Sequence, residues 1–217
     1  MNNLNQIIIS DKKLKEIIDH YKEVKKRYPD EWGEFCRNQN LRKVIEQAAR
    51  AKYPSGKHFE HQYRIKKIAL ADFLKCLSKK ETKIKAATTF EELLEIVKAC
   101  GDKINGIGEL ACYDAAARIG VKLSIYPTKI YMHAGPKIGA KKLLGVKRIG
   151  KFIDKSMLPA PFKGLECSEI EAILCIYKNE FDNDNEFDHR KYERRNNFKS
   201  GKKINYKLKT KNNEKAH

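Results

Sequence analysis

The stretch Thr88-Thr89-Phe90-Glu91-Glu92-Leu93-Leu94-Glu95-Ile96-Val97-Lys98-Ala99-Cys100-Gly101, followed by Asp102-Lys103-Ile104-Asn105-Gly106-Ile107-Gly108 and then Glu109 to Gly120, sets the reading of the fold. Thr88 or Thr89, with Glu91 and Glu92 close behind, is a capping-box start. Phe90, Leu93, Leu94 and Val97 then recur at helical spacing until Gly101. After the glycine-rich link, Leu110, Ala111, Ala115 and Ile119 define a second helix that ends at Gly120. Two helices joined by a bend that carries two glycines predict close helix packing, because neither glycine places a side chain in the way.

The same periodicity extends to both sides. Leu14, Ile17, Ile18, Tyr21 and Val24 predict a helix from Ser10 to about Arg27, with Lys and Glu on its other face. Leu41, Val44, Ile45 and Ala48 predict another from Leu41 to Ala51, before Pro54-Ser55-Gly56 breaks the chain. A third, over Lys67 to Lys79, turns Leu70, Phe73, Leu74 and Leu77 inward. Ser168-x-x-Glu171 reads as a capping box that opens a late helix carrying Ile170, Ile173, Leu174 and Tyr177. Strand signals are scarce: Val121 to Tyr126 alternates but reads equally as a linker. The expected fold class is all-α, a multi-helix domain over residues 1–180.

From Phe181 the composition changes. An acidic patch of Asp182, Asp184, Glu186 and Asp188 gives way to a tail rich in lysine and asparagine. From Asp188 to the end, eleven basic residues stand against three acidic ones, a surplus of eight. Tyr192, Phe198 and Tyr206 are isolated there, so residues 181–217 read as a disordered basic arm. Such an arm either grips nucleic acid or merely keeps the chain in solution.

The whole chain of 217 residues holds 46 Lys and Arg against 28 Asp and Glu, a net charge of +18. That surplus points to a polyanionic partner, because counterion release drives binding to phosphate backbones. No apolar run approaches a membrane span or the core of a signal peptide, so a cytoplasmic protein with no membrane partner is expected. The six cysteines are scattered and none forms C-x-x-C, which predicts reduced thiols on apolar helix faces.

Ile104-x-Gly106-Ile107-Gly108, between its two helices, resembles the hairpin of helix-hairpin-helix DNA-binding proteins. The resemblance covers about residues 90–120. It implies binding to the phosphate backbone through exposed amides at the turn and at the start of the second helix, largely without sequence preference. Lys103, Asn105, Gly106, Ile107 and Gly108 form the expected contact turn, with Lys129, Lys137, Lys141 and Lys142 as supporting phosphate contacts. DNA is favoured over RNA as the partner. The alternative for the turn is a glycine-rich helix connection that binds nothing.

Some helix-hairpin-helix proteins are base-excision glycosylases. Their lyase members resemble one another in a lysine two residues past the second hairpin glycine, where this chain has Leu110. They also carry a Pro-x-Asp element, where this chain has Pro127-Thr128-Lys129. A glycosylase-like or nuclease-like enzyme is therefore the rival reading, and a protein-interaction module in a phage or defence setting is another. Tyr113-Asp114, Arg118-Ile119-Gly120 and Pro127 to Gly139, with Tyr131, His133, Ala134 and Gly135, also look like an uncharacterised group of bacterial and phage-related proteins. That likeness implies no chemistry.

Three further clusters could carry function. Asp114 and Arg118 lie four apart on a helix, the spacing of a surface ion pair. His133, Tyr131 and Lys137 could transfer protons or attack a sugar carbon, rim a phosphate site, or in the case of His133 sit in the core. His58-x-x-His61 lacks the further ligands zinc needs, and with Lys57, Tyr63, Arg64, Lys66 and Lys67 it reads as a basic-aromatic surface. No G-x-x-x-x-G-K-[ST] loop occurs, and neither metal nor cofactor is expected.

Overall fold

Helix-forming periodicity becomes ten α-helices and one minimal sheet in the computed structural model, which describes residues 9–27, 30–59 and 62–193. The helices are α1 (Asp11–Arg27), α2 (Glu31–Asn38), α3 (Leu41–Ala49), α4 (Lys67–Ser78), α5 (Glu81–Ala86), α6 (Phe90–Gly101), α7 (Glu109–Leu123), α8 (Ala134–Leu143), α9 (Cys167–Ile176) and α10 (Arg190–Glu193). Strands β1 (Ile130–Tyr131) and β2 (Phe152–Ile153) pair antiparallel, with Ile130 opposite Ile153. The all-α architecture stands. No described helix is long and apolar enough to cross a membrane.

Helix α6 starts where its capping signal lies: Thr89 accepts the Glu92 amide, and the Thr88 amide and hydroxyl both donate to Glu92. Its buried stripe, Phe90, Leu93, Leu94 and Val97, meets α7, whose alanine face is wrapped by α2, α3 and α6. A Cβ at Gly101 would fall 2.2 Å from the Cys112 sulfur, so only glycine lets α6 and α7 approach this closely beside the turn. Helices α3 to α7 thus share one apolar core. A second core joins α1, α8, α9 and the two strands. The cores meet where Phe90 and Tyr113 pack against Tyr131, with ring centroids 5.8 and 4.9 Å apart.

Helix α8 is the main element the sequence reading did not mark. Gly135, Pro136 and Gly139 look like loop residues, but Pro136 occupies the first turn, where its missing N–H costs nothing. Gly135 and Gly139 face α9, and a Cβ at Gly139 would come within 2.0 Å of the Leu174 carbonyl. Helix α9 differs in detail from its expected start. It begins at Cys167, and Glu169, not Glu171, accepts the amide of the capping residue Glu166.

Two other expectations are corrected. Residues 181–193 are not a loose tail: Phe181, Phe187 and Tyr192 are buried in the α1/α9 core, and the Tyr192 hydroxyl donates to Glu180. Widely spaced aromatics hide this packing, since Phe187 and Tyr192 stack on each other and dock around His20 and Tyr177 rather than forming a helical stripe. The helical unit therefore reaches at least Glu193, and the remaining part of the expected tail, 194–217, lies outside the described residues. Cys76 and Cys100 are not reduced thiols either; they form a disulfide between α4 and α6, with Cα atoms 5.6 Å apart. Cys36, Cys112, Cys167 and Cys175 are free.

Candidate nucleic-acid interface and the polar cluster beside it

The turn between α6 and α7 is built by two short backbone bonds. Ile104 N–H donates to Gly101 and Ile107 N–H to Ile104, at 2.9 and 3.1 Å. Gly106 has a φ of 97°, a left-handed conformation that favours glycine. Ile107 is buried and anchors the bend, whereas Lys103, Asn105, Gly106 and Gly108 face solvent. Nothing lies within 4 Å of the space a Cβ would take at Gly108. Gly108 is also the residue before α7, and no side chain caps the helix there. The α7 end therefore leaves backbone donors directed at solvent.

The turn has a basic neighbour that lies far from it in sequence. A Cβ at Gly106 would approach the Ala69 Cβ to 3.9 Å, which places the turn against the first turn of α4. That helix also starts without a side-chain cap, at Lys66, and Lys66 and Lys67 are both exposed. Ile68 in the first turn of α4 and Tyr63 shortly before it are both more than half exposed. Acidic groups are present too: Glu109 opens α7 and lies 3.9 Å from the Lys98 ammonium.

The remaining expected contacts lie elsewhere. Lys137, Lys141 and Lys142 are on α8, which packs on α9, and all three are half-buried. Lys142 is ion-paired with Asp182 at 2.7 Å, and the Lys129 ammonium sits 4.3 Å from the Phe152 ring centroid. Of the nine residues named from sequence, Lys103, Asn105, Gly106 and Gly108 are exposed at the turn and Ile107 is buried beneath it, while Lys129 and Lys142 are engaged on the α8/β2 side of the molecule. Lys66 and Lys67, beside the turn, entered the sequence reading only as part of a basic-aromatic stretch. Of the pair His58 and His61, the second lies outside the described residues. Among the described residues, no three His, Cys, Asp or Glu side chains converge as metal ligands.

Further along α7, where the two cores meet, lies a polar cluster. Asp114 lies five positions on from Glu109, about 7.5 Å along the helix. Tyr113 donates to Glu171 of α9, and the His133 Nε2 is 3.9 Å from the other Glu171 oxygen. His133 occupies the position just before α8. Its Nε2 is buried without a hydrogen-bond partner. Asp114 accepts from the Gln62 amide at 3.0 Å and lies 3.7 Å from Arg118. Arg118 in turn donates to Gln62 and stacks over Phe59, 3.5 Å from the ring centroid. The Asp114–Arg118 pair is thus not a surface ion pair. Arg118 is only 9% exposed, because the alanine-rich face of α7 draws this side of the helix under the segment around Phe59 and Gln62.

Burial sets the protonation of this cluster. It pushes the Glu171 carboxyl up to about 7, with the hydrogen bond from Tyr113 acting against the rise and the Asp114 charge adding to it. It lowers the His133 pKa, against the pull of Asp114 and Glu109, so the imidazole is held neutral. It raises the Tyr113 phenol, with the Glu171 charge next in effect. Glu171 and His133 keep 15% and 14% of their side-chain surface open to solvent. The arrangement therefore holds a carboxyl that is about half protonated at neutral pH beside a neutral imidazole, with a little of each side chain open to solvent. Comparison with protein-family models, with curated proteins and with solved structures finds no match to this chain.

Proposed function

We propose that this protein binds the phosphate backbone of nucleic acid, DNA in the first instance, through the Gly106–Gly108 turn in the manner of a helix-hairpin-helix. The observation that carries the reading is the open, glycine-lined turn set against the first turn of α4, where two uncapped helix starts and Lys66 and Lys67 share one surface. A phosphate there receives backbone N–H donors and the positive ends of two helices. Lys66, Lys67 and Lys103 add charge that does not depend on base sequence, so binding is largely non-specific. Exposed Tyr63 supplies an aromatic face for a neighbouring base or sugar. The net charge of +18 favours the same class of partner.

The test is fluorescence anisotropy with labelled duplexes of unrelated sequence across a salt series. Gly108→Val is the sharpest probe, because the added side chain meets open space in the fold yet covers the approach to the α7 amides. Its affinity should fall at least tenfold on every sequence. Unchanged affinity in the folded variant removes the turn from the interface.

A further inference from the structure

We propose that the Cys76–Cys100 disulfide is a redox clasp: it holds the Gly106–Gly108 turn against the start of α4, and its reduction weakens strand binding by releasing the turn. The inference rests on the nucleic-acid reading and names the regulation of that same surface.

The chain is laid along α4 in three steps. Cys100, the last residue but one of α6, is bonded to Cys76 of α4, with Cα atoms 5.6 Å apart. A Cβ at Gly101 would lie 3.7 Å from the Phe73 ring, and one at Gly106 would lie 3.9 Å from the Ala69 Cβ. Residues 69, 73 and 76 are four and three apart, so they share one face of the helix. From the disulfide the chain therefore runs back along that face toward Lys66 and Lys67. The covalent bond is the first step of the path and the glycine turn is the last.

The last step holds least. Ala69 offers one methyl group and Gly106 no side chain, so little apolar surface is covered where they meet. The hydrogen bonds from Ile104 to Gly101 and from Ile107 to Ile104 shape the turn but stay within it. Among the described residues, no hydrogen bond or ion pair joins α4 to residues 101–108. The seat of the turn on α4 thus depends on where the end of α6 is held, and the disulfide holds it. Once the α6 end is free, the uncapped start of α7 moves independently of the uncapped start of α4, and a phosphate no longer meets both together.

The bond is open to exchange from one side. Cys100 is fully buried, whereas Cys76 is half-buried. The reductant is a dithiol, either a small molecule or a redox protein with paired thiols. Its thiolate attacks the Cys76 sulfur, the S–S bond breaks, and the electron pair leaves on the Cys100 sulfur, which takes a proton. The second thiolate of the reductant then displaces Cys76, which also takes a proton, and the reductant departs as its own disulfide. A reagent in the disulfide form reverses both exchanges and closes the clasp. Cys112 lies close by, since a Cβ at Gly101 would fall 2.2 Å from its sulfur, but burial pushes its thiol up to about 11 and keeps it out of the exchange.

The experiment compares the full chain as the disulfide with the same chain in dithiothreitol. Amide hydrogen exchange at Ile104 and Ile107 is read on the free protein, helical content by circular dichroism, and duplex affinity by anisotropy at fixed salt. Reduction should speed exchange in the turn about tenfold and weaken binding about tenfold, with the helical signal kept. Cys76→Ala should match the reduced protein in all three and ignore the reductant. Turn exchange that does not change on reduction overturns the clasp. Faster exchange with unchanged or tighter binding overturns the redox control and leaves the binding reading intact. Faster exchange with no binding in either form overturns the binding reading while the clasp stands. Loss of the helical signal on reduction makes the bond a support of the whole fold and overturns the switch, and a Cys76→Ala protein that still responds to dithiothreitol removes this bond as its seat.

Discussion

Replacing Glu171 by glutamine changes how stability depends on pH, by an amount the structure sets. In the unfolded chain this carboxyl ionises near its ordinary value of 4.5, whereas burial holds it protonated in the fold up to about 7. Between those pH values the folded state binds the extra proton, so stability falls as pH rises and levels off above about 7. The interval corresponds to about 3 kcal/mol at full development. Glutamine cannot ionise, so the difference in unfolding free energy between Glu171→Gln and wild type should shift in favour of the variant by about that much from pH 4.5 to 8. His133 has a lowered pKa and acts in the opposite sense in both proteins. Urea denaturation at a series of pH values reads the difference directly. Parallel stability curves would refute the raised Glu171 pKa.

Other perturbations probe the fold and the interface separately. Lys66→Ala with Lys67→Ala should flatten the salt dependence of strand binding by about two, one for each phosphate contact, in the anisotropy series. Lys142→Ala should leave that slope nearly unchanged, since its ammonium is already paired with Asp182. Phe187→Ala should cost about 3 kcal/mol in urea denaturation, because the ring is buried against His20 and Tyr177; a loss below 0.5 kcal/mol would detach the 181–193 segment from the core. Alkylation of the denatured, unreduced chain should label four of the six cysteines, and all six after reduction.

The helices were legible where an apolar stripe and a cap coincide. Helices α1, α3, α4 and α6 all show period-3.6 burial, and the Thr88–Glu92 signal places the start of α6 within a residue. Helix α8 was hidden because its two glycines serve α9 rather than a turn, a relation between segments that no local pattern displays. The docking of Phe187 and Tyr192 was hidden for the same reason, beneath an acidic patch that looks like solvated chain. The turn residues could be named in advance, since glycine spacing is local. Its partnership with Lys66 and Lys67 could not, because the contact runs through Ala69. The sequence pairs Asp114 with Arg118 as a surface ion pair and sets His133 beside Tyr131 and Lys137, but it does not join these two groups. Glu171 looked like a capping residue, and only the fold sets it beside Tyr113 and shows that Arg118 is buried.

Gly135 and Gly139 determine how far His133 stands from Glu171. At Gly139 only hydrogen atoms separate α8 from the Leu174 carbonyl of α9, so there the helix separation is fixed by main-chain contact, while Gly135 leaves the room that the Cys175 sulfur takes. One methyl group at Gly139 would wedge the helices apart and displace the imidazole from the carboxyl, although neither His133 nor Glu171 had been altered. The spacing of the cluster is thus encoded in two residues that have no side chain with which to take part in it.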